Sequence, residues 1–204
     1  MPKKPTPTPS LAFRSIGRDD WPEVERLFMA PGGPKYCWCM VWRGDAAERR
    51  GWPGAATKAG KRGELSEAGK LRRAALKKRV EAGEPVGLLA YDGDEPVGWV
   101  SVAPRPTYER LKGPDDHADA PQKVWSVVCF YLKRAFRGAG QGNAMIEAAI
   151  AAAKAGGAAV LEAYPVQPDS PSYRFMGFVP AFARAGFREV APAGSRRTVM
   201  RLEL

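Results

Sequence analysis

The stretch that most constrains this chain is residues 124–150, VWSVVCFYLKRAFRGAGQGNAMIEAAI, where an apolar run gives way to arginines, alternating glycines and an alanine-rich segment. Val124 to Leu132 is dense in β-branched and aromatic residues and predicts a buried strand. Lys133 to Arg137 turns the chain. Gly138, Gly140 and Gly142 then remove Cβ from every second position, so that backbone N–H groups can turn inward and a ligand can approach the main chain closely. From Asn143 the sequence NAMIEAAIAAAK carries only Glu147 and Lys154 as charges and reads as a mostly buried helix. A helix N-terminus offers unpaired donors and partial positive charge, and Arg134 and Arg137 stand beside this one. The expected product is a pyrophosphate-sized anion site.

The remainder of the 204 residues supplies a frame for that unit. Residues 1–10 are basic and proline-rich with no apolar core, which predicts a disordered tail rather than a secretory signal, and 11–204 is expected to form one domain. Leu11 to Ile16 suits a first strand. Asp19 or Asp20 suits a helix N-cap, with Glu23 placed to complete a capping box and Trp21, Val24, Leu27 and Phe28 on one face. A PGGP loop leads to the aromatic YCWCMVWR, and residues 51–63 read as a basic loop. Leu65, Ala68, Leu71, Ala75, Leu76 and Val80 recur at helical spacing and stop at Gly83. VGLLAY and VGWVSVA, around residues 92–96, predict a hairpin. Residues 105–122 read as a long polar loop, 158–166 as a strand completing a βαβ unit, 178–185 as a short helix and 197–204 as a closing strand.

Composition narrows the setting. A net charge of +10 favours an anionic ligand. Three cysteines give no disulfide framework and suit a reducing, cytoplasmic compartment, and no apolar run is long enough to span a membrane. Cys37, Cys39, Cys129 and His117 could in principle ligate zinc, but the C-x-C spacing is wrong and Cys129 lies in a core strand, so no metal is expected. Trp38, Trp42, Trp99 and Tyr108 are candidates for an acceptor pocket.

Spacing separates the glycine motifs. The Walker A pattern requires Gly-Lys-Ser/Thr, which does not occur here. A dinucleotide fingerprint starting at Gly138 and Gly140 requires a third glycine where Asn143 stands, although Glu162 lies about twenty residues on, as its ribose-binding acid should. What remains is R-x-x-G-x-G, met by Arg137, Gly140 and Gly142.

With that motif between an apolar strand and a helix, the hairpin at 86–103 and the late Ala185-Gly186-Phe187, the sequence resembles the GNAT superfamily of N-acetyltransferases over residues 11–204. The resemblance implies an α/β (α+β) single domain whose mixed, mostly antiparallel sheet is flanked by helices around a central strand-loop-helix-strand unit for acetyl-CoA. It implies that the backbone of Phe130, Tyr131 and Leu132 meets the pantetheine arm. Arg137, Gly138, Ala139, Gly140, Gln141, Gly142 and Asn143 would hold the pyrophosphate. The reaction would be direct attack of a neutral amine on the thioester, with a strand N–H near Tyr131 or Leu132 receiving the oxyanion.

The sequence departs from the family where proton carriers are often found. Phe182 stands where many members place a tyrosine acid, and Ser126 where some place a glutamate base. Tyr164 and Glu162 alternate on one strand face and are the substitutes, Tyr164 as acid and Glu162 or a Ser126-bound water as base, with Tyr173 as a further acid. The expected acceptor is a primary amine of a small molecule. Rival readings are a macromolecular amine, with nucleic acid engaged through the basic segment 58–79, or a non-catalytic acyl-CoA-binding module, and a homodimer is compatible with either.

Overall fold

The computed structural model describes residues 10–53, 64–114, 123–138 and 140–204. Its frame is a seven-stranded sheet in the order β1-β2-β3-β4-β5-β7-β6. The strands are β1 (Ala12–Ser15), β2 (Leu88–Asp92), β3 (Glu95–Pro104), β4 (Val124–Leu132), β5 (Val160–Ala163), β6 (Arg188–Pro192) and β7 (Thr198–Glu203). All neighbours are antiparallel except β4 and β5, whose parallel pairing requires the crossover helix between them. The helices are α1 (Trp21–Met29), α2 (Ala46–Gly51), α3 (Glu67–Ala82), α4 (Gln141–Ala155) and α5 (Val179–Arg184).

Strand alternation sorts the core onto the two faces. Val100, Val102, Trp125, Val127, Leu161 and Met200 pack with Met145, Ile146 and Ala149 of α4 and with Val179 and Phe182 of α5. On the opposite face Leu89, Tyr91, Trp99 and Cys129 pack with α1 and α3. Ala103, Val128, Tyr164 and Val199 form a third cluster with Tyr108, Leu111 and Met176. Val127 and Val128 fall in different clusters by ordinary alternation, whereas the β3–β4 register shift between Ser101 and Val102 leaves Val128 as an extra residue on β4, so that Trp125 and Val127 before it share a cluster with Phe130 and Leu132 after it. Such a bulge bends the strand and re-aims the residues beyond it.

Several local expectations change. Asp20 caps α1 by position, but its Oδ2 accepts from Gly17 N at 2.7 Å, so the expected capping box does not form. A capping box is made instead by Asp45 and Glu48 at α2, between the aromatic stretch and the basic loop, where no helix was expected. Leu71, expected on the buried stripe of α3, is 42% exposed. β5 is shorter than the predicted strand at 158–166, and β6, an exposed edge strand, was not anticipated. The 1–9 portion of the tail, residues 54–63 of the basic loop, residues 115–122 with His117, and Ala139 lie outside the described residues.

Candidate active site

The site grows from the parting of β4 and β5. Their ladder runs from Val124↔Val160 to Val127↔Ala163 and ends there, while β4 continues to Leu132. On that side no described strand pairs with Val128 to Leu132. Lys133 N–H donates to Val97 C=O at 2.8 Å, which fixes the antiparallel alternation along the end of β4. Tyr131 therefore directs its main-chain groups at Trp99, and Phe130 and Leu132 direct theirs away from β3, into the opening. Of the two positions considered for an oxyanion donor, Leu132 faces the opening and Tyr131 is committed to the ladder. Arg137 Nε donates to Leu132 C=O at 2.9 Å, tying the arginine to the same rim.

The turn after β4 has the conformation its glycines allow. Gly138 and Gly140 have φ of 99° and 81°, in the left-handed region that glycine occupies without penalty. Gly140 is the N-cap of α4, and neither a side-chain cap nor an acidic residue occupies the helix's first turn. Gly142 is more informative. It has ordinary φ, and a Cβ built there meets no atom within 4 Å, so the protein's own packing does not demand glycine. Open space in front of an uncapped helix terminus suits a ligand phosphate lying against the backbone. Asn143 is exposed beside it, whereas the Gln141 side chain is buried.

At the fork, Ser126 and Glu162 are register partners, both buried. Tyr164 and Glu162 do share a face and do meet, with Tyr164 Oη donating to Glu162 Oε2 at 2.6 Å. Both are withdrawn from solvent, and burial followed by the Glu162 charge pushes the Tyr164 hydroxyl well above the usual tyrosine range. Glu162 also accepts from Arg201 Nε at 2.9 Å and lies 3.3 Å from Arg105 Nε. A carboxylate held on both oxygens by two guanidiniums and a phenol is an anchor and a poor proton acceptor. Ser126 Oγ lies beside the Tyr164 hydroxyl, whose proton goes to Glu162, and has no hydrogen-bond partner of its own among the described residues. Phe182 is fully buried against Phe130 and Phe187.

The aromatic expectation needs correcting. Trp38 and Trp99 are wholly buried core residues, stacked and edge-on with Phe28, and Tyr108 is buried against Arg43. Trp42 alone of the four lines the large cavity of about 970 Å³ that opens beside Tyr173, Arg105 and Arg197. Tyr173 holds a left-handed φ of 59°, uncommon for so bulky a residue, and sets its ring 6.1 Å from Trp42. The three thiols are free, Cys39 accepting from Trp99 Nε1 at 3.0 Å. A hydrogen bond to Cys39 and burial push the Cys37 thiol up, away from nucleophilic character. Among the described residues no cluster of His, Cys, Asp and Glu could hold a metal ion.

Sequence reasoning missed Arg43, Arg105, Arg197 and Arg201. Only Arg201 left a signal, because its place on the Val199 face of the closing strand turns it towards Glu162 once β5 and β7 pair.

A model of the acetyltransferase (GNAT) family matches residues 57–178, more than half of the chain. The chain belongs to the GNAT acetyltransferase family. Its fold is similar to that of PaiA N-acetyltransferase from Thermoplasma acidophilum in complex with coenzyme A, at TM-score 0.52 and 12% identity over 96% of this chain and 99% of that one. It is similar also to YncA from Salmonella typhimurium with its cofactor acetyl-CoA, at TM-score 0.51 and 16% identity over 95% of this chain and 94% of that one. An acetyltransferase from Thermus thermophilus gives TM-score 0.50 and 19% identity over 97% and 99%. At these identities the likeness is one of fold. No curated protein matches the sequence. In this GNAT acetyltransferase the β4–β5 ladder ends before the glycine turn that leads to the N-terminus of α4, which has no side-chain cap.

Proposed function

We propose that this GNAT enzyme transfers the acetyl group of acetyl-CoA to the primary amine of a small molecule. The observation that carries the reading is the end of the β4–β5 ladder at Val127 and Ala163, directly before the glycine turn. The residues present fit the cofactor: Arg137, Gly138, Gly140, Gln141, Gly142 and Asn143 receive the pyrophosphate on the turn and the start of α4, and Ala139 belongs to the same run. Main-chain groups of Phe130 and Leu132 receive the pantetheine arm, with Tyr131 holding β4 to β3.

Acetyl-CoA supplies an acyl group activated as a thioester. The amine nitrogen forms a bond to the acyl carbon, the carbon–sulfur bond breaks, the nitrogen loses one proton and the sulfur gains one. Leu132 or Phe130 N–H stabilises the oxyanion that develops between those events. Tyr164, the first residue of its strand face beyond the fork, is the acid for the departing sulfur, and Tyr173 is the alternative. Glu162 orients Tyr164 rather than acting as the base, and Ser126 is free to hold a water that takes the amine proton.

The α3 part of the basic segment favours a small acceptor over a nucleic acid. Arg73 pairs with Glu25, Arg79 with Glu48 at 2.8 Å, Lys70 with Glu67 at 2.6 Å and Lys77 with Glu81 at 3.4 Å, so that among the described residues only Arg72 and Lys78 of this helix lack a carboxylate. The free thiols support a cytoplasmic setting, and a sheet running from Ala12 to Glu203 supports a single domain over 11–204. The test is free-thiol release from acetyl-CoA across a panel of amines. Thiol release with at least one small amine, lost in Arg137→Ala, is expected; acetyl-CoA binding without release for any amine would favour the non-catalytic reading.

A further inference from the structure

Resting on that transferase reading, the geometry points to an acceptor amine that also carries an acidic group, a carboxylate or a phosphate, seated on Arg197. The cavity of about 970 Å³ is walled by Arg105, Arg110, Lys112, Arg196 and Arg197, with Glu109 as its one lining carboxylate among the described residues. Two of these charges are already engaged. Arg105 pairs with Glu162 at 3.3 Å, and Glu109 faces Arg49 at 4.0 Å. Among the described residues Arg110, Lys112, Arg196 and Arg197 have no carboxylate within ion-pair reach.

Arg197 separates this wall from an ordinary basic surface. It is only 7% exposed, and its Nη1 finds no hydrogen-bond partner among the described residues. Its guanidinium lies 4.6 Å from the centre of the Trp42 ring and 5.5 Å from that of Tyr173. Aromatic faces orient a guanidinium but cannot replace the acceptors that water would have given it. Loss of solvation accordingly depresses its pKa. Arg43 shows the contrast. It is equally buried, but Thr107 Oγ1, Val86 C=O, Ser101 Oγ and Tyr108 Oη all lie within 3.2 Å of its terminal nitrogens. Both terminal nitrogens of that arginine are satisfied within the fold, its Nε alone lacking a partner, whereas Arg197 belongs to a cavity wall and has an unpartnered terminal nitrogen.

A planar fork held between rings is suited to bidentate recognition of a carboxylate or phosphate. Arg197 also lies 5.9 Å from the centre of the Tyr164 ring, so an acid bound there sets the rest of a short molecule beside the fork between β4 and β5. The amine and the acid would thus be separated by only a few bonds.

Matched pairs test this: β-alanine and γ-aminobutyrate against their methyl esters, and phosphoethanolamine against ethanolamine, with spermidine as a cationic amine. Acids should exceed their neutral partners by roughly 10- to 100-fold in kcat/KM, and the two acid series distinguish carboxylate from phosphate. Arg197→Gln should abolish that preference by raising KM for the acids far more than KM for the esters. Because a buried substitution risks misfolding, the exposed pair Arg110→Ala/Lys112→Ala should lower kcat/KM for acids by several-fold in a stable protein. Equal or better turnover of esters or spermidine, or equal effects of the variants on acids and esters, would overturn the inference while leaving the transferase reading intact. Calorimetric titration of phosphoethanolamine and γ-aminobutyrate decides the anion site even if no acetyl transfer is found: binding lost in Arg197→Gln supports it, and no binding to the wild-type chain overturns it.

Discussion

The Tyr164 hydroxyl donates to Glu162 Oε2 at 2.6 Å, at the point where β5 leaves β4. The pair is held by Arg201 from β7 and Arg105 from the segment after β3, so three chain regions converge on one carboxylate. The hydroxyl is thereby kept protonated with its proton directed at Glu162, and the proposed acid role requires that proton to turn from Glu162 to the departing thiolate.

Tyr164→Phe should reduce kcat for acetyl transfer roughly 100-fold or more, with the dissociation constant for acetyl-CoA unchanged. Steady-state kinetics alongside acetyl-CoA titration checks both numbers. Kinetics like those of the wild type would remove Tyr164 from proton transfer and leave Tyr173.

Glu162→Gln breaks a buried ionic cluster while preserving its shape, removing the carboxylate that Arg201 and Arg105 share. The expected loss is about 3–5 kcal/mol of unfolding free energy in urea, much more than an exposed pair would give. A loss below about 1 kcal/mol would match an exposed pair and contradict the anchoring role.

Alkaline pH should destabilise the fold through Tyr108. Burial, against the favourable Arg43 charge, raises its hydroxyl to about 12. An unfolded tyrosine ionises near 10. The folded pKa is the higher one, so this contribution is fully present below about pH 10 and is lost as pH rises towards 12. Melting temperatures across that window should fall in the wild type and fall less steeply in Tyr108→Phe; identical slopes would contradict the assignment.

The two halves of the site were legible in the sequence to different degrees. β4 occupies Val124–Leu132 as its apolar run predicted, and α4 begins two residues before the expected Asn143, because strand burial and glycine conformations are local properties. The Val128 bulge left no trace, since an extra residue in a β-branched run shows only in the partner's register. β6 escaped because an exposed edge strand has no alternating apolar pattern to reveal it. The cavity wall was illegible for another reason. Trp42, Arg105, Tyr173 and Arg197 are scattered along the chain and meet only through the tertiary fold. The capping box was misassigned because Asp20 found a nearer donor in Gly17 N.

The most direct measurement is calorimetric titration of acetyl-CoA into the wild-type chain and Gly142→Val, with a thermal melt of each without ligand. A Cβ at position 142 meets no protein atom within 4 Å beyond its own turn of helix, so the two melts should agree. The wild type should bind one acetyl-CoA per chain, and the variant should show binding weakened roughly 100-fold, the consequence of separating a phosphate from its backbone donors by the width of a side chain. Equal affinities in two equally stable proteins would contradict the placement of the cofactor on the turn between β4 and α4.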